Sequence, residues 1–251
     1  MITDPFFYAV AIPAVVIVGL SKGGLGGGVA LLGVPLMALA VPPLQAAGIM
    51  LPILMVMDAV ALASFRGSFD RRSLGILLPA GLVGIAIGWL TAAWVTEEAV
   101  RLIVGIVALL FTLDHWFRSG RQPAPADHNP PKGMFWGALS GFTSFVSHAG
   151  GPPFQMYMLP RRLDPKLFAG TAVAFFAAVN AVKVVPYLAL GHLAPTNLAT
   201  SLVLAPLAAL AAFAGTRLVR IIPREAFYRI TYAAVFVVSL KLIWDGATGL
   251  I

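Results

Sequence analysis

The chain has no cysteine, only 10 acidic residues, four histidines and 11% charged residues in 251 positions. Without cysteine there are no disulfides, no thiolate nucleophile and no zinc or iron–sulfur site of the thiolate type. Four histidines and no serine-nucleophile motif leave little from which to build a hydrolytic or metal centre, so neither an enzyme nor a cofactor is expected. The shortage of charge excludes most. A soluble domain carries roughly a quarter charged residues, and here the polar side chains are too few to cover a soluble globule. A soluble enzyme with a water-filled cleft is thereby ruled out. The apolar runs are uniformly long, unlike the alternating segments of about ten residues that build an outer-membrane barrel.

What is present is hydrophobic. Apolar residues make up 59% of the chain and mean hydropathy is +0.91, which predicts an all-α polytopic membrane protein in the lipid bilayer. The net charge of +7 comes from 17 Lys and Arg scattered over short loops. That pattern fits the cytoplasmic edges of an inner-membrane protein and not a nucleic-acid-binding face.

A helix needs about 20 apolar residues to cross the hydrocarbon. Six stretches qualify, at 44–65, 74–95, 99–117, 167–190, 198–219 and 226–244. Two others are interrupted. Residues 6–40 contain SKGGLGGG at 21–28, and residues 134–159 contain SHAGGPP at 147–153. Glycine and proline disfavour helix, so both clusters are expected to break it. Asp4 precedes the first stretch and no basic segment does, which reads as part of the fold and not as a removable signal.

The basic loops set the expected topology. Arg66, Arg71 and Arg72, then Arg118, Arg121 and Lys132, then Arg161, Arg162 and Lys166, and finally Arg217, Arg220 and Arg224 mark cytoplasmic loops. The N-terminus and the links at 41–43 and 191–197 have no Lys or Arg. Each interrupted stretch therefore enters and leaves on one face, as a hairpin with its glycine cluster at the turn. Both termini fall on the non-cytoplasmic side. From Phe154 the later hairpin has about 7 residues before Arg161, roughly 10 Å of helix, so it is expected to be re-entrant. The limbs of the first, at roughly 15 residues each, nearly suffice to cross.

Pro43, Ala47, Gly48 and Asp58 recur as Pro165, Ala169, Gly170 and Asn180 at a spacing of about 122. Pro79 and Gly88 echo Pro206 and Gly215. The chain thus divides into a repeat at 1–117, a linker at 118–131 and a repeat at 132–251, each repeat a broken or re-entrant hairpin plus three spans. An odd number of spans inverts the second repeat relative to the first. Inverted repeats with broken helices in matching positions point to a secondary transporter. The linker holds four prolines and is expected to be an extended or mobile tether.

Non-helical backbone at membrane depth is tolerated only where protein buries it or water reaches it. Half-helices starting at the two turns would aim unpaired N–H groups at a common cavity and attract an anion. The candidate substrate-binding residues are Ser21, Lys22, Gly23, Gly24, Gly26, Gly27 and Gly28 at the first turn, and Ser147, His148, Gly150, Gly151 and Gln155 at the second. Close helix packing is the competing role, and it is preferred for the Gly84/Gly88 and Gly137/Gly141 pairs. Asp58, Asn180 and Lys183 lie inside apolar spans and are candidates for coupling or gating, with a structural ion pair as the alternative. The glycine run fits neither dinucleotide nor P-loop spacing.

At SKGGLGGGVALLGVP and SHAGGPPFQMYMLP the chain resembles the TauE/SafE sulfite exporter family, over nearly its whole length. The resemblance implies an inner-membrane carrier for a small sulfur-containing anion such as sulfite or sulfoacetate, with its site at residues 21–28 and 147–153. Members both export and import, so direction stays open, as does a passive anion channel. The thiosulfate-uptake branch uses cysteines along its path, and their absence here disfavours that mechanism. A homodimer remains compatible with the sequence.

Overall fold

The computed structural model describes residues 1–24, 30–92, 94, 96–117 and 125–250. Among them there are ten α-helices and no strand: α1 (Pro5–Gly24), α2 (Gly33–Met37), α3 (Pro43–Ser64), α4 (Arg71–Thr91), α5 (Glu97–Phe117), α6 (Pro130–Ser147), α7 (Gly151–Met158), α8 (Pro165–Ala189), α9 (Pro195–Ile221) and α10 (Arg224–Gly249). Single 3-10 turns precede α2, at Ala30–Leu32, and follow α7, at Leu159–Arg161. Helices α1, α3, α4, α5, α8, α9 and α10 are long and apolar enough to cross a membrane.

Helix starts follow from local chemistry. Proline opens α3, α6, α8 and α9, where its missing N–H costs no hydrogen bond. Asp70, Asn129 and Asp164 cap α4, α6 and α8, accepting from the amides of Arg72, Lys132 and Lys166. These caps let three helices begin two to four residues earlier than the apolar runs alone predict. Trp89, Trp94, Trp116 and Trp244 are exposed close to helix ends, as an interfacial belt requires.

The two hairpins have unequal limbs. Each pairs a long helix with a short return: α1 of 20 residues with α2 of five, and α6 of 18 with α7 of eight. The short second limb of the later hairpin agrees with expectation, and all eight residues of α7 are buried. The first hairpin differs, because α1 runs on through Gly23 to Gly24 and is about 30 Å long. The reason is packing. A Cβ on Gly19 would lie 2.5 Å from the Ala211 Cβ, and one on Gly23 would lie 2.8 Å from the Thr216 nitrogen. The close approach of α9 offsets the helix penalty of these glycines.

Helices pair across the two halves. α1 and α9 run in the same direction, with the Ile2 amide donating to Thr200 Oγ1 (3.0 Å) at one end and Gly23 on Thr216 at the other. α4 and α6 do likewise, with Gly133 on Ile76, Gly137 on Leu77 and Gly88 on Phe145. α3 and α8 are antiparallel. Gly48 meets the His192 carbonyl, Gly170 meets the Ser68 carbonyl, and Asp58 bonds Asn180 between them. α5 and α10 are also antiparallel, with Gly246 against Leu102 and Phe111 against Tyr232. Moving every helix five places along the chain leaves this set of pairs unchanged.

The basic loops assemble at one end. There Arg220 Nη2 donates to the Ser64 carbonyl (2.5 Å), Tyr228 Oη to the Leu163 carbonyl (2.7 Å) and Arg224 to the Arg162 carbonyl. The linker is not a free tether along its whole length. The Ala126 amide donates to the Pro160 carbonyl (3.0 Å), and His128 lies between Asp70 Oδ2 (3.2 Å) and Arg161 Nη2 (2.8 Å). Arg161 also approaches Asp70 at 3.5 Å, so this end of the second hairpin is clamped to α4. Burial pushes the Asp70 carboxyl pKa up. The bonds from Ser73 and the charges of Arg161 and His128 outweigh that and hold it below the ordinary value. The clamp therefore keeps its negative member into acid solution.

Candidate functional site

The two turns share one cavity. Lys22 and Ala30 reach it from the first hairpin, Ser144, His148 and Gly151 from the second, and Met50, Leu54, Phe176 and Asn180 from α3 and α8. Its volume is about 30 Å³, room for one or two waters.

Lys22 stands in the last turn of α1, 5% exposed, and forms an ion pair with Asp58 of α3. The second carboxylate oxygen of Asp58 accepts from Asn180 Nδ2 at 2.7 Å. Asp58 and Asn180, 122 positions apart in the sequence, thus bond directly to each other. An ammonium at this depth costs at least about 2.5 kcal/mol unless compensated, and Asp58 is the compensation.

Lys183 follows Asn180 by one turn of α8 and is 0% exposed. Its Nζ donates to the Ser144 carbonyl (3.0 Å) and hydroxyl (3.2 Å) and faces His148 Nδ1 at 3.4 Å. A neutral ring accepting at Nδ1 carries its proton on Nε2, where Tyr187 Oη lies at 2.9 Å. Lys183 thus lies against the Ser144 carbonyl and hydroxyl and the His148 ring. Lys22 on the cavity wall is paired with Asp58, while Lys183 stands behind the Ser144 and His148 that line it.

His148 caps α6 with φ 53 and ψ 21, a left-handed conformation that a non-glycine residue adopts at some cost. The turn after it is tied back onto α6. Ser140 Oγ donates to the Gly150 carbonyl (2.7 Å) and Thr143 Oγ1 to the Ala149 carbonyl (3.1 Å). These bonds satisfy backbone that leaves the helix inside apolar surroundings.

The remaining expected residues divide. Gly151 lines the cavity, whereas a Cβ on Gly150 would meet the Ser140 carbonyl at 2.7 Å and Ser144 at 2.8 Å. Gly23 is turned to α9, Gly24 ends α1, and Ser21 and Gln155 are buried outside the cavity lining. Ser147 bonds back to the Thr143 carbonyl (3.2 Å). Gly26, Gly27 and Gly28 lie outside the described residues. At the second turn the helix start has few free donors. Pro152 and Pro153 occupy the first turn of α7 and have no N–H, which leaves the Gly151 amide as the donor there. Lys22 is the lysine on the cavity wall.

Ser144 and Tyr187 escaped the sequence reading. Each was within its reach, because Ser144 is one turn before His148 and Tyr187 one turn after Lys183.

A helical bundle with seven membrane-length helices and a buried charged cavity between two broken hairpins defines a multi-pass membrane protein of transporter type. The chain belongs to the sulfite exporter TauE/SafE family, whose family model matches residues 11–242 of its 251. No curated protein and no solved structure matches it.

Proposed function

We propose that the protein is a secondary carrier that moves a small sulfur-containing oxyanion, sulfite or an organosulfonate such as sulfoacetate, across the cytoplasmic membrane, as an exporter. The observation that carries this reading is the cavity lined by Lys22, Ser144, His148 and Asn180, with Lys183 bonded to Ser144 behind its wall. An anion entering it meets Lys22, the Ser144 hydroxyl and the Asn180 amide. At about 30 Å³ the cavity is too small for a four-heavy-atom anion, so loading requires the hairpins to part. Asp58 competes with substrate for Lys22, which makes the pair the candidate element for coupling or gating.

The pairing of helices supports two inverted repeats. Equivalent helices α3 and α8 are antiparallel, as are α5 and α10, which is what a two-fold axis in the membrane plane produces. With the arginine-rich end cytoplasmic, both termini lie outside. Alternating access then amounts to one hairpin opening while the other closes, and no catalytic step is involved.

Proteoliposomes test the proposal. Labelled sulfite or sulfoacetate should show saturable counterflow, stimulated by unlabelled anion on the opposite side, at roughly 1–10³ turnovers per second, the ordinary range for protein-limited cycles. Unitary currents in planar bilayers would instead make the protein a passive anion channel. Absence of both activities for every sulfur oxyanion would refute the substrate class.

A further inference from the structure

We propose that the arginine-rich end carries a binding site for the phosphate of an anionic phospholipid, seated where α8 begins and α9 bends into α10. An open cleft of about 400 Å³ lies there, with Lys166, Arg220 and Arg224 around it, one carboxylate from Asp164, and an apolar floor that includes Val219 and Ile222.

The charges do not cancel. Asp164 is occupied as the cap of α8, its Oδ1 accepting the Lys166 amide at 3.0 Å. Arg220 donates to the Ser64 carbonyl at 2.5 Å and Arg224 to the Arg162 carbonyl. Main-chain carbonyls orient guanidinium groups without neutralising them, so three cations around the cleft outnumber one acid. A phosphate with its acceptor oxygens matches such a set, and guanidinium suits it by geometry as well as charge.

The chemistry is shared by free phosphate and by a lipid headgroup, and the surroundings favour the lipid. The cleft lies at the end of a membrane-length helix, α9, whose neighbouring Leu218 and Ile221 are 41% and 78% exposed. A diacyl chain leaving the cleft would run along these side chains, while an inorganic ion would leave them unused. Basic pockets between helices at a membrane edge hold anionic headgroups for this reason.

Titration of the delipidated, detergent-solubilised full chain decides the matter, with native mass spectrometry and thermal unfolding as readouts. Short-chain phosphatidylglycerol should remain bound and raise the unfolding midpoint, and phosphatidylcholine and inorganic phosphate should do neither. Arg220→Gln with Arg224→Gln should weaken phosphatidylglycerol binding at least tenfold. Because both arginines brace the backbone, Lys166→Gln serves as the second variant and should weaken it at least threefold with an unchanged midpoint in lipid-free detergent. Equal retention of phosphatidylcholine, or unchanged affinity in the Lys166 variant, would overturn the proposal. Saturation by inorganic phosphate would overturn it too, by making this a soluble-anion site.

Discussion

Replacing Lys22 by Met or Asp58 by Leu alone should destabilise the protein by about 3–5 kcal/mol, and replacing both together should restore most of that loss without restoring transport. Each single change strands one buried charge. Lys22 is 5% and Asp58 4% exposed, so water cannot take the missing partner's place. The double change removes both charges, and a buried ion pair exchanged for apolar side chains is commonly neutral. Asn180 loses its 2.7 Å acceptor in the double variant, which holds back about 1 kcal/mol of the recovery. Thermal unfolding in detergent and counterflow in proteoliposomes together read the result. A double variant that recovers both stability and transport would make the pair purely structural.

Gly141→Leu should abolish the folded monomer, and Gly84→Leu should do the same. A Cβ on Gly141 would fall on the Gly81 carbonyl, and one on Gly84 on the Ala138 carbonyl, so the obstruction on each side is backbone. Side chains can rotate away from an added methylene, at about 1–3 kcal/mol for ordinary overpacking, but a helix backbone cannot. α4 and α6 would have to separate, and they belong to opposite halves of the molecule. Gly75 on α4 is the control, since nothing lies within 4 Å of a Cβ there. Gly75→Ala should be neutral or stabilising by up to about 1 kcal/mol. Size-exclusion and unfolding profiles report both, and a Gly141→Leu protein with the parent's midpoint would contradict this account of the crossing.

The spans were legible because hydrocarbon thickness imposes a length on them, and the six apolar runs return as α3, α4, α5, α8, α9 and α10. The short return of the second hairpin was legible too, because Arg161 follows the SHAGGPP turn so closely. The continuation of α1 to Gly24 was not. Propensity counts glycine as a breaker, and only tertiary contact with α9 reverses its effect. The anchoring of the linker's later residues was not legible either. Its prolines suggested a tether, and His128 is anchored by partners 58 and 33 residues away in sequence. At the site, the glycine turns directed attention to Lys22 and His148, and both line the cavity. At the second turn the shortage of N–H donors was also legible, since SHAGGPP itself contains the two prolines that remove them.

The absence of cysteine permits the most direct test of the central claim, that an anion visits the chamber between the two turns from either side of the membrane. Ser144→Cys introduces the molecule's sole thiol on the cavity wall. In oriented proteoliposomes, a membrane-impermeant maleimide applied to either face should label it, and sulfoacetate should protect it with a concentration dependence matching that of transport. Sulfite is unsuitable as the protecting anion because it consumes maleimide. A thiol that reacts from one face only, or whose labelling sulfoacetate leaves unchanged, would contradict the claim.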